Sequence, residues 1–159
     1  IENLKNSLQL KTIEHQVRFS KLHEKCAEVI AKLYVILVES LWETESFVSP
    51  MEFVGELSKN EKHVLARNKL ADVYRYFDQH RIYLPDTLCD SLEKLIQEIR
   101  TIVIEFGVWV PYDHEHLPTH AREQRQAVWE KSWKAIREEI PIARKQLETE
   151  FRGLLEASK

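Results

Sequence analysis

The first 49 residues contain neither glycine nor proline; the first proline is Pro50 and the first glycine Gly55. These two residue types interrupt helices most strongly, so their absence predicts one helix over about residues 2–43. At 1.5 Å per residue such a helix spans roughly 60 Å, against an average helix of ~11 residues. A rod of that length fixes the architecture. Shorter helices must pack along it, and any part they do not reach must project.

The apolar residues of this helix divide it in two. Leu22, Cys26, Val29, Leu33, Ile36 or Leu37, and Leu41 recur at spacings of three and four, the signature of one buried helical face. Ile30, Tyr34, Val38 and Trp42 run beside them, which predicts burial on two sides from about Val29 onward. The first half is thinner. Leu4, Leu8, Ile13, Val17 and Phe19 are interrupted by Lys11, His15 and Arg18. Residues 1–20 are therefore expected to form a helical extension beyond the core, with Leu4, Leu8, Ile13 and Val17 as interaction residues. The helical pattern is already running at Ile1, which leaves room for the helix to continue upstream.

A second helix is predicted over about 50–79. Ser49, Pro50 and Glu52 combine a cap, a proline at the first helical position and a capping-box acid. A second such signal, Ser58 to Glu61, marks a break or restart between Gly55 and Asn60. The residue before Pro85 is driven to extended geometry, and a third helix follows over about 85–106 with Leu88, Leu92, Leu95, Ile99, Ile102 and Phe106 on one face. Gly107 is its expected cap, and Val108–Val110 suit a short extended stretch. The last helix is predicted over 119–157, with Trp129, Trp133, Ile136, Ile140, Ala143, Leu147 and Leu154 at coiled-coil spacing. Pro141 lies inside it and predicts a kink. The fold class is all-α: a single domain, 1–159, forming an antiparallel up-down four-helix bundle with long first and last helices.

Composition narrows the function classes. With 43% hydrophobic and 31% charged residues the chain can bury a core, unlike a disordered segment. Its longest apolar run, Leu33–Val38, is too short to cross a membrane, and no secretory signal pattern is present. Twenty-three basic against 26 acidic residues give a net charge of −3, so charge does not indicate a nucleic-acid partner. Cys26 and Cys89, the only two cysteines, sit in apolar helical contexts and read as buried free thiols of a reducing cytoplasm.

Four groups of residues suggest chemistry. Arg75 and His80 stand in an Arg-x4-His arrangement that loosely resembles the motif of HEPN-type helical ribonucleases, in which the pair would supply a charge clamp and an acid–base group. This chain places Tyr76, not a polar residue, directly after the arginine. The structural counterpart is that His80 and Arg81 close the second helix while Tyr76, Phe77, Ile82 and Tyr83 pack. His114, His116 and His120, with Asp113 and Glu115, carry metal-ligating atoms, but adjacent-but-one histidines in a loop are ordinarily solvated. Trp109, Tyr112, Trp129 and Trp133 are pocket candidates; as a rule such residues fill the end of a bundle. The mixed charges of the last helix suit a solvated face. With three glycines in the chain there is no phosphate-binding loop, and no motif calls for a cofactor.

Two stretches, Phe19–Lys25 with Ala27–Ile30, and Tyr76–Pro85 with Leu88 and Cys89, resemble a loosely defined set of bacterial all-helical proteins that carry no assigned activity. The resemblance covers about Gln9 to Phe106. It implies a bacterial cytoplasmic setting and no site residues. The residues thus favour a non-enzymatic helical module that binds a protein partner or forms a homo-oligomer through its N-terminal helix. The alternative is a HEPN-like ribonuclease or nucleic-acid-binding component of a bacterial defence or toxin system.

Overall fold

The computed structural model describes residues 2–157; Ile1, Ser158 and Lys159, which the single-domain reading includes, lie outside them. Helix α1 spans Glu2–Val48, α2 Lys59–His80, α3 Asp86–Gly107, α4 Thr119–Lys134 and α5 Ile140–Glu156. A five-residue π-turn, Ala135–Glu139, joins α4 and α5 into one long helical rod. No strand occurs among the described residues.

The side-chain pairs fix the directions. Along α1, Tyr34, Glu45 and Val48 meet Glu148, Arg137 and Trp129 in turn, so the α4–α5 rod runs antiparallel to α1. Lys69 reaches Glu39 and Lys59 reaches the Phe47 carbonyl, which sets α2 antiparallel as well. Arg81 pairs with Glu93, and Ser91 and Lys131 reach Glu150 and Glu105. The bundle is therefore the expected up-down one.

Helix α1 is longer than its sequence signals suggest because its last carbonyls find partners. The Lys59 ammonium donates to Phe47 O at 2.9 Å and Ser49 O at 2.7 Å. The Trp129 indole donates to Val48 O at 2.7 Å. Helix α2 begins at Lys59 and not near Pro50. Ser49 spends its hydroxyl on a local turn, accepting from the Met51 N–H at 3.2 Å, and Gly55 holds φ +92°, a conformation that interrupts any helix. The start is the Ser58 capping box: Ser58 Oγ accepts from the Glu61 N–H at 3.2 Å, and the Glu61 carboxylate accepts from the Ser58 N–H at 2.8 Å.

Two other expectations change. Val108–Val110 form turns, not an extended stretch, with the Val108, Trp109 and Val110 amides donating to Ile104, Phe106 and Gly107. Pro141 produces the π-turn just before it. A proline cannot donate and clashes with the carbonyl four residues back; widening the preceding turn, with the Ile140 N–H on the Ala135 carbonyl, accommodates both faults.

Helix α3 is the most buried element, with Leu88, Leu92, Leu95, Ile99, Ile102 and Phe106 all inside. Val29, Leu33 and Leu37 of α1, Val73 and Phe77 of α2, and Ile136, Leu147 and Phe151 from the rod close around it. The second stripe of α1 is covered at its start and opens toward its end, Tyr34 packing on Phe151 of the rod. Ile30 is buried, but Trp42 is 64% exposed, because the rod and α2 leave that flank open.

One end of the core is aromatic. Phe47 packs on Phe106 at 5.0 Å and on the His63 ring at 4.9 Å, and Phe106 stacks on Trp129. Gly107 is the last residue of α3 and not its cap, which is Val108; it is buried against the imidazole of His63, with which a side chain in its place would collide. Burial, and then the Arg67 charge, hold the His63 pKa below its ordinary value, against an opposing hydrogen bond to the Val103 backbone carbonyl. A folded pKa below the unfolded value of about 6.5 means the unfolded chain takes up the proton first. His63 therefore contributes stability above that pH, and the contribution is lost as the pH falls. The melting temperature is expected to drop between pH 7 and pH 5 by more in the parent than in His63→Gln. Equal drops in thermal melts would show that His63 does not carry it.

Candidate functional site

The bundle ends on α1 near Cys26. There Lys25 lies over the Tyr83 ring at 5.8 Å and Lys32 over Tyr76 at 4.9 Å. From Leu4 to Leu22 every side chain is exposed, and the helix continues for roughly 30 Å at 1.5 Å per residue. The seven large apolar side chains of this arm, Leu4, Leu8, Leu10, Ile13, Val17, Phe19 and Leu22, are between 48% and 67% exposed. Ser7 and Thr12 bond only to carbonyls of their own helix.

The arm carries two apolar faces. Leu4, Leu8, Phe19 and Leu22, with Thr12 and His15 between them, continue the line of Cys26, Val29, Leu33 and Leu37 that faces the core below. Leu10, Ile13 and Val17 lie on the opposite side. Leu8 and Ile13, five residues apart, are about 140° apart around the axis. The four interaction residues expected from sequence thus split into two pairs on different faces, and Phe19 and Leu22 belong with the first pair. The signal for that grouping was in the sequence, as spacings of three and four counted back from Cys26.

The remaining candidates are placed as follows. Arg75 and His80 also point about 140° apart around α2. Arg75 is exposed, whereas the His80 ring stacks on Tyr76 at 4.1 Å and its Nδ1 lies 2.8 Å from the Tyr76 carbonyl. The structure does not bring the pair to one cleft. His114, His116 and His120 are exposed. His116 meets Asp113 at 3.0 Å, and Asp113, which also accepts from the Glu115 N–H, has its pKa lowered first by that amide and then by His116. Among the described residues no group of three or more His, Cys, Asp or Glu is placed to hold a metal ion.

The four aromatic candidates do not share a pocket. Trp129 packs into the core end, and Trp109 meets Tyr112 edge-on at 6.4 Å. Trp133 lines a surface groove with Trp42, Met51 and Phe53, and Arg137 covers its ring at 5.5 Å. Sequence reasoning missed this groove because residues 50–57 read as helix. Elsewhere Tyr34, Arg144 and Glu148 form a network, with Arg152 also on Glu148 at 3.8 Å: the Tyr34 hydroxyl donates to Glu148 at 2.6 Å and accepts from Arg144 at 2.9 Å. The Glu148 pKa is held low, first by Tyr34 and then by Arg144. Each group in that network is spent on the others, which suits a clasp between α1 and α5.

Both cysteines are free thiols, Cys89 buried and Cys26 half-buried, and burial raises the pKa of each, the opposite of what a reactive thiolate needs. No helix among the described residues is long and apolar enough to cross a membrane. The chain matches no protein-family model, no curated protein and no solved structure. The arm is therefore the site that geometry alone singles out.

Proposed function

We propose that this chain is a non-enzymatic helical interaction module: the bundle is a rigid base, and the first twenty or so residues of α1 are a docking element for another helix. That helix comes from a partner protein or from a second copy of this chain. The observation that carries the reading is the set of exposed large apolar residues from Leu4 to Leu22, a stretch of α1 that no other described element buries. A helix stabilised mainly by packing of its apolar face gains from covering such residues, and large apolar side chains clustered on an exposed face mark an interaction site. The free thiols fit a cytoplasmic setting, which is part of the proposal, as is the bacterial source that the resemblance implies. Sedimentation tests the reading. The chain is expected to associate as its concentration rises or when an amphipathic helical peptide is added; a chain that stays monomeric under both conditions contradicts it.

A further inference from the structure

The flanks of the arm carry information that its apolar stripe does not. Lys11, Arg18, Lys25 and Lys32 recur at intervals of seven residues along one edge of the stripe. Inside the bundle this edge faces α2 and the turn after it, with Lys32 over Tyr76 of α2 and Lys25 over Tyr83 of the turn. Beyond the bundle it continues as Lys11 and Arg18 with nothing opposite. The other edge carries Glu2, Gln9, Gln16 and His23 at the same interval. Between Glu2 and Lys25 there are five basic and three acidic residues, in a chain whose net charge is −3. The arm is thus a basic helix on an acidic body.

This pattern gives Lys11 and Arg18 no acid to meet across the seam with a second arm. In a parallel pair the flanking residue of one helix faces the one five positions on in the other: Lys11 would meet Gln16, and Arg18 would meet His23. In an antiparallel pair Lys11 would meet Arg18, a like-charge contact that disfavours association. We infer that the occupant of the arm is an amphipathic helix with glutamate or aspartate along its flank, belonging to a different protein. It would lie on the Leu4, Leu8, Phe19 and Leu22 face as α2 lies on the continuation of that face below. The inference rests on the interaction-module reading and adds the partner's chemistry.

Two synthetic helical peptides test it, each of about three heptads with a leucine seam, one flanked by glutamate and the other by lysine. Titrated into the full chain with fluorescence anisotropy as readout, the glutamate peptide is expected to bind about tenfold more tightly at low salt, from a few flanking pairs of ordinary strength. That preference should shrink in high salt and reverse in the Lys11→Glu/Arg18→Glu variant. Equal binding of the two peptides, or self-association tighter than either, overturns the acidic partner while leaving the docking arm intact. Binding to neither peptide, with the chain monomeric, overturns both. Binding to anionic phospholipid vesicles but not to the glutamate peptide also overturns the proposal, because the basic edge would then serve a lipid surface.

Discussion

Exchanging Leu4, Leu8, Phe19 and Leu22 for glutamine will weaken association through the arm by about three orders of magnitude or more and leave the melting temperature of the bundle nearly unchanged. Each of these side chains is more than half exposed. Covering what is exposed is worth roughly 1–2 kcal/mol apiece, from about 1.5–3 kcal/mol for full burial of a large apolar side chain. Four of them supply about 4–8 kcal/mol, and each 1.4 kcal/mol is a factor of ten in affinity. Glutamine is close to leucine in helix propensity, so the loss reports the apolar face and not the helix. The bundle is unaffected because none of the four touches its core cluster. Sedimentation and thermal melts read the two effects separately. A variant that still associates like the parent would show that the face is not used.

Replacing Phe47 by alanine will have the opposite signature, a loss of about 3–5 kcal/mol in unfolding free energy. The ring is fully buried and joins three elements, packing on His63 of α2 and Phe106 of α3 at the point where Trp129 of α4 stacks on Phe106. Its own carbonyl accepts from Lys59, so the backbone there is fixed and cannot close the cavity cheaply. Against the usual stability of about 5–15 kcal/mol, such a loss is at least a fifth of the total. Urea titration gives the number; a change under about 1 kcal/mol would mean the site collapses around the missing ring.

These two predictions separate what the sequence dictates locally from what packing decides. The long first helix, the α3 stripe from Leu88 to Phe106 and the pattern of the last helix were legible, because periodicity over many residues is a strong signal. The start of α2 was not. Two capping signals stood nine residues apart at Ser49 and Ser58, and only the glutamate bonded back to Ser58 and the turn at Gly55 decide between them. The end of α1 was set by Lys59 and Trp129, which arrive from 12 and 81 residues away; no local rule reports them. The response to Pro141 was foreseen as a fault but not in form, since a kink and a π-turn both relieve the same clash. The arm was legible as a thinning of the apolar pattern. Its division into two faces needed only the helical period, whereas the Trp42–Phe53–Trp133 groove depended on a loop whose path the sequence did not show.

The central claim is that the arm docks a helix, and amide hydrogen exchange of the segment from Leu4 to Leu22 tests it most directly. Free in the monomer, this stretch lacks tertiary packing, and a helix without packing is marginal, so its amides should exchange far faster than those of α3. With the glutamate-flanked peptide at about a hundred times its dissociation constant, exchange in the arm should slow roughly a hundredfold while the bundle stays as it was. Arm amides that exchange at the same rate with and without that peptide, and at every concentration of the chain, would contradict the account.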